Sequence, residues 1–309
     1  MPKHYLQTAT WLNLRREFRK EVALEISLAS RTYPNLIGHI AIERRQRSIF
    51  RNRVFEFSFG PTREIVNLEE GFSLEVFEQI AKVTLNHGVR KIRIYSYANV
   101  NLGYVTLKEY SDVLTEAGIP FTIHHTMTLM YDLEKHNYNS LSQCEASVRK
   151  NLRRANNVQI IVAKTPEQIH AFLNAHAQIK GRKRPKSHEV SAYQNWQEGC
   201  VLLIAYDSVS NYYLGTLGFV YDNFLATEIA SSTAKGPDAR GVQEKLHLAS
   251  FDEAKKLGLK KFDLAGLEND LEGNWNSIAK FKLKFSNEFI ETGFLEIDMR
   301  KAGNILMSK

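Results

Sequence analysis

The chain has 309 residues, of which 43% are hydrophobic and 24% charged, with 17 glycines and 7 prolines. This composition excludes collagen-like, low-complexity and wholly disordered chains, and the length favours two domains of moderate size. The 41 basic residues outnumber the 34 acidic ones, giving a formal charge of +7. That excess points to an anionic partner: nucleic acid, nucleotide, phosphate or lipid headgroup.

The first twenty residues hold no apolar core of the signal-peptide kind. Apolar runs such as 201–206 are about six residues long, against the ~20 that span a bilayer. Two cysteines, Cys144 and Cys200, make no disulfide framework and read as small buried hydrophobes. A cytoplasmic protein is therefore expected.

In chain order, β-branched and aromatic runs predict strands at 21–29, 37–43, 54–59, 91–97 and 122–133. Further strands are predicted at 158–163, 201–206, 212–221, 224–231, 261–264 and 289–297. Helical periodicity marks 73–86, 107–116, 144–155, 166–179 and 242–257. Thr165-Pro166 is a helix start, and Gly88 and Gly258 are expected just past helix ends. The two halves share a pattern. His87-Gly88-Val89-Arg90-Lys91-Ile92 and Leu257-Gly258-Leu259-Lys260-Lys261-Phe262 both read as helix, glycine, apolar residue, two basic residues, strand. Gly38 and Gly215 precede these segments at similar distances, each inside a strand. A duplicated mixed α/β unit follows, with domains expected at 1–134 and 135–309.

In the segment SVRKNLRRA, Arg149 and Arg153 share one helix face, and Lys150 and Arg154 another. The strip reads either as a solvated face or as a cationic surface for phosphate. The ten histidines show no metal-ligand spacing, and neither GxSxG nor a P-loop motif is present.

SVRKNLRRANNVQIIVAK resembles a segment of the FemABX peptidyltransferases, in which Arg-x-x-(Ile/Leu)-Arg-x-Ala precedes a strand. The stretch carrying Asp263, Gly266, Phe281, Lys282, Phe285 and Gly293 is similar to that family's C-terminal signature. Gln7-Thr8-Ala9-Thr10-Trp11 and Gly60-Pro61 resemble its opening and a turn after a strand. Where the family often ends its first-domain strand with Asp-Pro, this chain has Ile94-Tyr95-Ser96-Tyr97.

The resemblance implies two tandem acyltransferase domains of the GNAT type. It implies transfer of an aminoacyl or acyl group to an amine of a peptidoglycan precursor, or of an amino sugar on a nucleotide or lipid diphosphate. The donor would be aminoacyl-tRNA or acyl-CoA, with no permanently bound cofactor, and contact with a membrane surface is left open. It implies Lys282 as oxyanion stabiliser and Phe281 as pocket wall. The competing reading of Lys280, Lys282 and Lys284 is an exposed basic face with Phe281 and Phe285 in the core. Asp263, at a strand end, is a second catalytic candidate or else a loop hydrogen-bonding residue.

Arg15, Arg149, Arg153, Arg184 and Tyr193 are candidate substrate-binding residues. Lys235, Arg240 and Gly241 precede a helix, where acyl-CoA-dependent relatives bind pyrophosphate on backbone N–H groups. Here Arg240-Gly241 is followed by Val-Gln, a poor match to that pattern. Two other readings stand beside aminoacyl transfer. One is an acyl-CoA-dependent acyltransferase of surface-polysaccharide synthesis. The other is a basic nucleic-acid-binding protein, although aromatics are not interleaved with the basic runs.

Overall fold

The structure, a computed structural model, describes residues 22–26, 36–43, 52–58, 74–99, 105–135, 145–182, 185, 199–223, 225–265, 267, 277–286 and 288–307. Arg15, Arg184, Gly266 and Tyr193 lie outside the described residues. The chain forms two compact units, Met1–Met127 with Ile290–Lys309, and Thr128–Phe289.

In the first unit β1 (Val22–Ile26), β2 (Leu36–Glu43) and β3 (Asn52–Ser58) form an antiparallel meander. Helix α1 (Leu74–Leu85) then crosses to β4 (Val89–Tyr97), which is parallel to β3. Along β4, Ile92, Ile94 and Ser96 are buried while Lys91, Arg93 and Tyr95 are half-buried, the period-two signature of a sheet with one core face. That face meets α1 and α2 (Leu107–Glu116) through Phe77, Ile80, Tyr110 and Leu114. Thr106 caps α2 in a reciprocal box with Glu109, satisfying backbone groups that the first turn leaves unpaired. Strand β5 (Thr122–Asp132) follows.

The second unit contains α3 (Ala146–Arg154), β6 (Val158–Val162) and α4 (Pro166–Ile179). As the sequence predicts, α4 starts on Thr165 with Pro166 in its first turn. Strands β7 (Cys200–Asp207), β8 (Tyr212–Tyr221) and β9 (Leu225–Thr233) form a second antiparallel meander. A short 3-10 turn (Pro237–Ala239) leads into α5 (Val242–Lys256), which crosses to β10 (Lys261–Asp263), parallel to β9. Helix α6 (Ser277–Lys282) leads to β11 (Glu288–Asp298), and α7 (Met299–Met307) follows.

Meander, helix, parallel strand, helix and strand thus occur twice along the chain, in two mixed α/β units, with the last strand, β11, pairing in the first unit. Gly38 and Gly215 lie on the equivalent central strands β2 and β8, although at different register positions. A Cβ on Gly215 would stand 2.8 Å from Val242 Cγ1 and 2.9 Å from Leu246 Cδ1, so glycine lets α5 lie close against β8.

The unit boundaries differ from the sequence expectation. The division falls within β5 rather than at residue 134, and residues 290–309 belong to the first unit, where β11 pairs with β4 from Thr292↔Tyr97 to Asp298↔Lys91. In the second unit, the strand beside β10 is the latter part of β5, with Asp263 opposite Met130. Local periodicity identifies a strand but not the edge that accepts its ladder hydrogen bonds, so it does not show that β11 pairs with β4.

Candidate functional site

The candidate site is built in the second unit where β10 ends. Asp263 is buried, and its Oδ1 accepts hydrogen bonds from the Ala265 backbone N–H at 2.7 Å and from the Thr128 hydroxyl. These bonds close a turn in which Ala265 takes a φ of 57°. The left-handed region costs a residue with a Cβ about 1–2 kcal/mol, so Asp263 and Thr128 hold a strained turn in place. The Ala265 carbonyl accepts a 2.7 Å hydrogen bond from Lys282 Nζ.

Lys282 is 7% exposed. This overturns the reading of an exposed Lys280/Lys282/Lys284 face: only Lys280 is exposed. Lys284 pairs with the buried Glu244 carboxylate at 3.2 Å, and its Nζ lies 5.1 Å from the centre of the Phe281 ring. The cause is the helical turn at α6, which sets Lys282 about 200° round the axis from Lys280, whereas a strand would have aligned them; Lys284 lies past the end of the helix.

Facing this lysine is a buried acid–base pair that the sequence did not reveal. Glu228 on β9 and His247 on α5 approach at 3.2 Å between Oε2 and Nε2, and His247 is 1% exposed. His247 Nδ1 lies 2.9 Å from the Gln243 carbonyl, which can only accept, so Nδ1 carries a hydrogen and Nε2 is turned to the carboxylate. Burial pushes the Glu228 carboxyl up, but the His247 ring and the Lys282 ammonium outweigh it and hold the group below the usual glutamate range. Phe281 and Phe285 enclose the imidazole. Its ring stacks on Phe285 at 5.2 Å and meets Phe281 edge-on at 5.1 Å. The two phenylalanines do pack four residues apart, as the competing reading expected, and they wall the same cluster as Lys282.

Gly241 caps α5 at φ 83°, and a Cβ there would fall 2.0 Å from the Asn151 carbonyl near the end of α3. The glycine is thus required by the close approach of α3 to α5. Asn151 also donates to Glu244 at 2.7 Å, and Lys245 Nζ donates to the Ala155 carbonyl at 3.0 Å. Lys235 and Arg240 are exposed on the loop before α5. On α3, Arg149 is half-buried while Lys150, Arg153 and Arg154 are exposed, so the expected Arg149/Arg153 pair does not present two equally open cations.

A cleft of about 410 Å³ lies at the other end of this sheet, lined by Val162, Ile169, Cys200, Leu202, Glu253 and Lys256 among others. It shares no residue with the Lys282 cluster. Burial pushes the Cys200 thiol well up, which leaves it no nucleophile.

No family model matches the sequence, and no curated protein is similar to it by sequence. The fold, however, is similar to that of FemX, with a TM-score of 0.68 at 10% identity over 100% of this chain and 95% of that one. L-PGS from Bacillus licheniformis gives 0.59 at 12% identity, covering 98% of this chain and 95% of that one. The C-terminal domain of an Agrobacterium fabrum protein assigned as a lysylphosphatidylglycerol synthetase gives 0.59 at 14% identity, covering 98% and 90%. At these identities the likeness establishes the fold, and that fold is FemX-like along the whole chain.

Proposed function

We propose that this protein is an N-acyltransferase that moves an aminoacyl group from a charged tRNA to a primary amine, with Lys282 stabilising the oxyanion. The acceptor is an amine on a peptidoglycan precursor, an amino sugar or a lipid headgroup, carried on a phosphate-bearing molecule. The observation that carries this reading is the buried Lys282 ammonium fixed by a strained turn at the end of β10.

Acyl transfer needs a neutral amine, a held carbonyl and a positive group where the carbonyl oxygen gathers charge. An ammonium has three N–H donors, of which one goes to the Ala265 carbonyl; the others serve an oxyanion entering beside it. Glu228 and His247 give the ammonium a fixed electrostatic setting, and Asp263 acts at one remove by holding the carbonyl that positions it. The amine loses its proton to bulk base or to the departing ribose oxygen, which closes the proton balance of the transfer.

Acyl-CoA as donor is the second reading, and one observation weighs against it: the start of α5, where pyrophosphate would sit, has the Asn151 carbonyl against Gly241. The test is thermal melting with charged tRNA, uncharged tRNA and acetyl-CoA. A ligand at 100 times its Kd stabilises by about 2.7 kcal/mol, which is about 5 °C or more for units of this size. A shift with charged tRNA alone is expected. A shift with acetyl-CoA alone replaces the donor, and no shift with any of them removes the reading.

A further inference from the structure

Three loops gather at one end of the second unit's sheet, the end opposite the cleft beside Cys200. Asp207, the last residue of β7, pairs with both Val158 at the start of β6 and Tyr212 at the start of β8. The α3–β6 turn therefore lies beside the β7–β8 hairpin, and the Ser208 hydroxyl donates to the Asn157 carbonyl at 3.3 Å. On the other flank, the Ala234 N–H donates to the Leu214 carbonyl at 2.9 Å, which brings the β9–α5 loop to the same end.

The hairpin carries an apolar tip. Val209 is 76% exposed, Tyr212 70% and Tyr213 39%. The tip is braced from behind, where the Tyr206 ring packs against Tyr213 at 5.7 Å, and Asp207 ties the turn by accepting from the Val209 N–H and the Ser210 hydroxyl. The neighbouring elements carry exposed cations: Arg153 and Arg154 at the end of α3, and Lys235 and Arg240 on the β9–α5 loop. Among the described residues, none of these four has an acidic partner within 4.0 Å. Asp238 is the exposed acid on the same loop.

We propose that this end of the second unit docks on an anionic lipid bilayer, with Val209 and Tyr212 entering the headgroup layer and the four cations resting on lipid phosphates. Tyrosine prefers the membrane–water interface because its ring is apolar and its hydroxyl stays hydrated. A ring of basic side chains adds attraction to an anionic leaflet, about fivefold in partition for each one near the surface. An RNA surface is the rival occupant. It is disfavoured because Val209, the most exposed side chain of the tip, gains from burial in a headgroup layer and gains nothing from a phosphate backbone or a stacked base, although Tyr212 suits either surface. The inference does not depend on the catalytic reading.

The experiment is co-sedimentation of the full chain with vesicles of phosphatidylcholine alone and of phosphatidylcholine with 30% phosphatidylglycerol, with bulk tRNA binding measured in parallel. Binding to the anionic vesicles only, released by raising the salt to 0.5 M, is expected. Arg153→Ala with Arg154→Ala should weaken it about twentyfold, and Val209→Asp with Tyr212→Ser at least tenfold. Melting temperature should be unchanged, since these side chains lie on the surface. No sedimentation with anionic vesicles overturns the proposal, as does binding that neither double variant changes. Loss of tRNA binding in the Val209/Tyr212 variant with vesicle binding intact also overturns it and gives the surface to RNA.

Discussion

Replacing Lys282 with methionine keeps an unbranched side chain, one atom shorter, and removes its charge. The Ala265 carbonyl then loses its donor in a turn already held at φ 57°, and Glu228 loses a neighbouring cation. An unpaired buried acceptor costs about 1–3 kcal/mol, so the urea midpoint should fall visibly without loss of the fold. Loss of an oxyanion donor costs about 10²–10³ in turnover, and KM should change little because the interaction strengthens only in the transition state. The assay is transfer of a labelled aminoacyl group under single-turnover conditions, with urea unfolding alongside. Two controls separate the effects. Lys280→Ala, at an exposed position, should be near neutral in both measurements. Lys284→Ala leaves the buried Glu244 with Asn151 alone and should cost about 1–3 kcal/mol in stability, with turnover kept within a few-fold. Equal turnover in Lys282→Met and Lys280→Ala would refute the reasoning and leave α6 as a packing helix.

Three further outcomes follow from the geometry. Glu228 titrates below its ordinary value of 4.5 in the folded chain, so its contribution is present in full above that value and is lost as the pH falls through the folded one; Glu228→Gln should flatten the acid limb of stability against pH, and an unchanged limb would contradict the pairing with His247. Gly241→Ala forces a Cβ to within 2.0 Å of the Asn151 carbonyl and should destabilise by more than about 3 kcal/mol, whereas Gly88→Ala, at φ 64° with nothing within 4 Å, should cost about 1 kcal/mol by chemical unfolding. Asp263→Ala frees the Ala265 turn, and its turnover should fall less than that of Lys282→Met, because it acts through the position of the lysine; a larger fall would assign the carboxylate a direct role.

What the sequence made legible is what neighbours along the chain decide. Thr165-Pro166 starts α4, and Gly88 and Gly258 follow their helices at φ 64° and 78°, because capping is settled within one turn. The repeat was visible through the Gly-basic-strand pattern, and Lys282 and Asp263 through their resemblance to a family signature. Partners distant in the chain were not legible. Glu228 and His247 are 19 residues apart, on a strand and a helix that meet only in the folded unit, and each looks ordinary alone. A glutamate within LATEIASST, among small and apolar residues, was the one available signal. Gly241 read as part of a phosphate loop because nothing in the sequence places Asn151 against it. Helix α7 went unpredicted, since Met299, Ala302 and Ile305 give too short an apolar stripe to stand out.

One measurement tests aminoacyl transfer through Lys282 most directly. The purified chain is incubated with tRNA charged with labelled amino acids, or with labelled acetyl-CoA, together with a mixture of nucleotide- and lipid-diphosphate amine acceptors, and alkali-stable amide label is counted. Label should be transferred from charged tRNA by the wild-type chain, and at least about 10²-fold less by Lys282→Met. No transfer from either donor, or equal transfer by Lys282→Met, would contradict it.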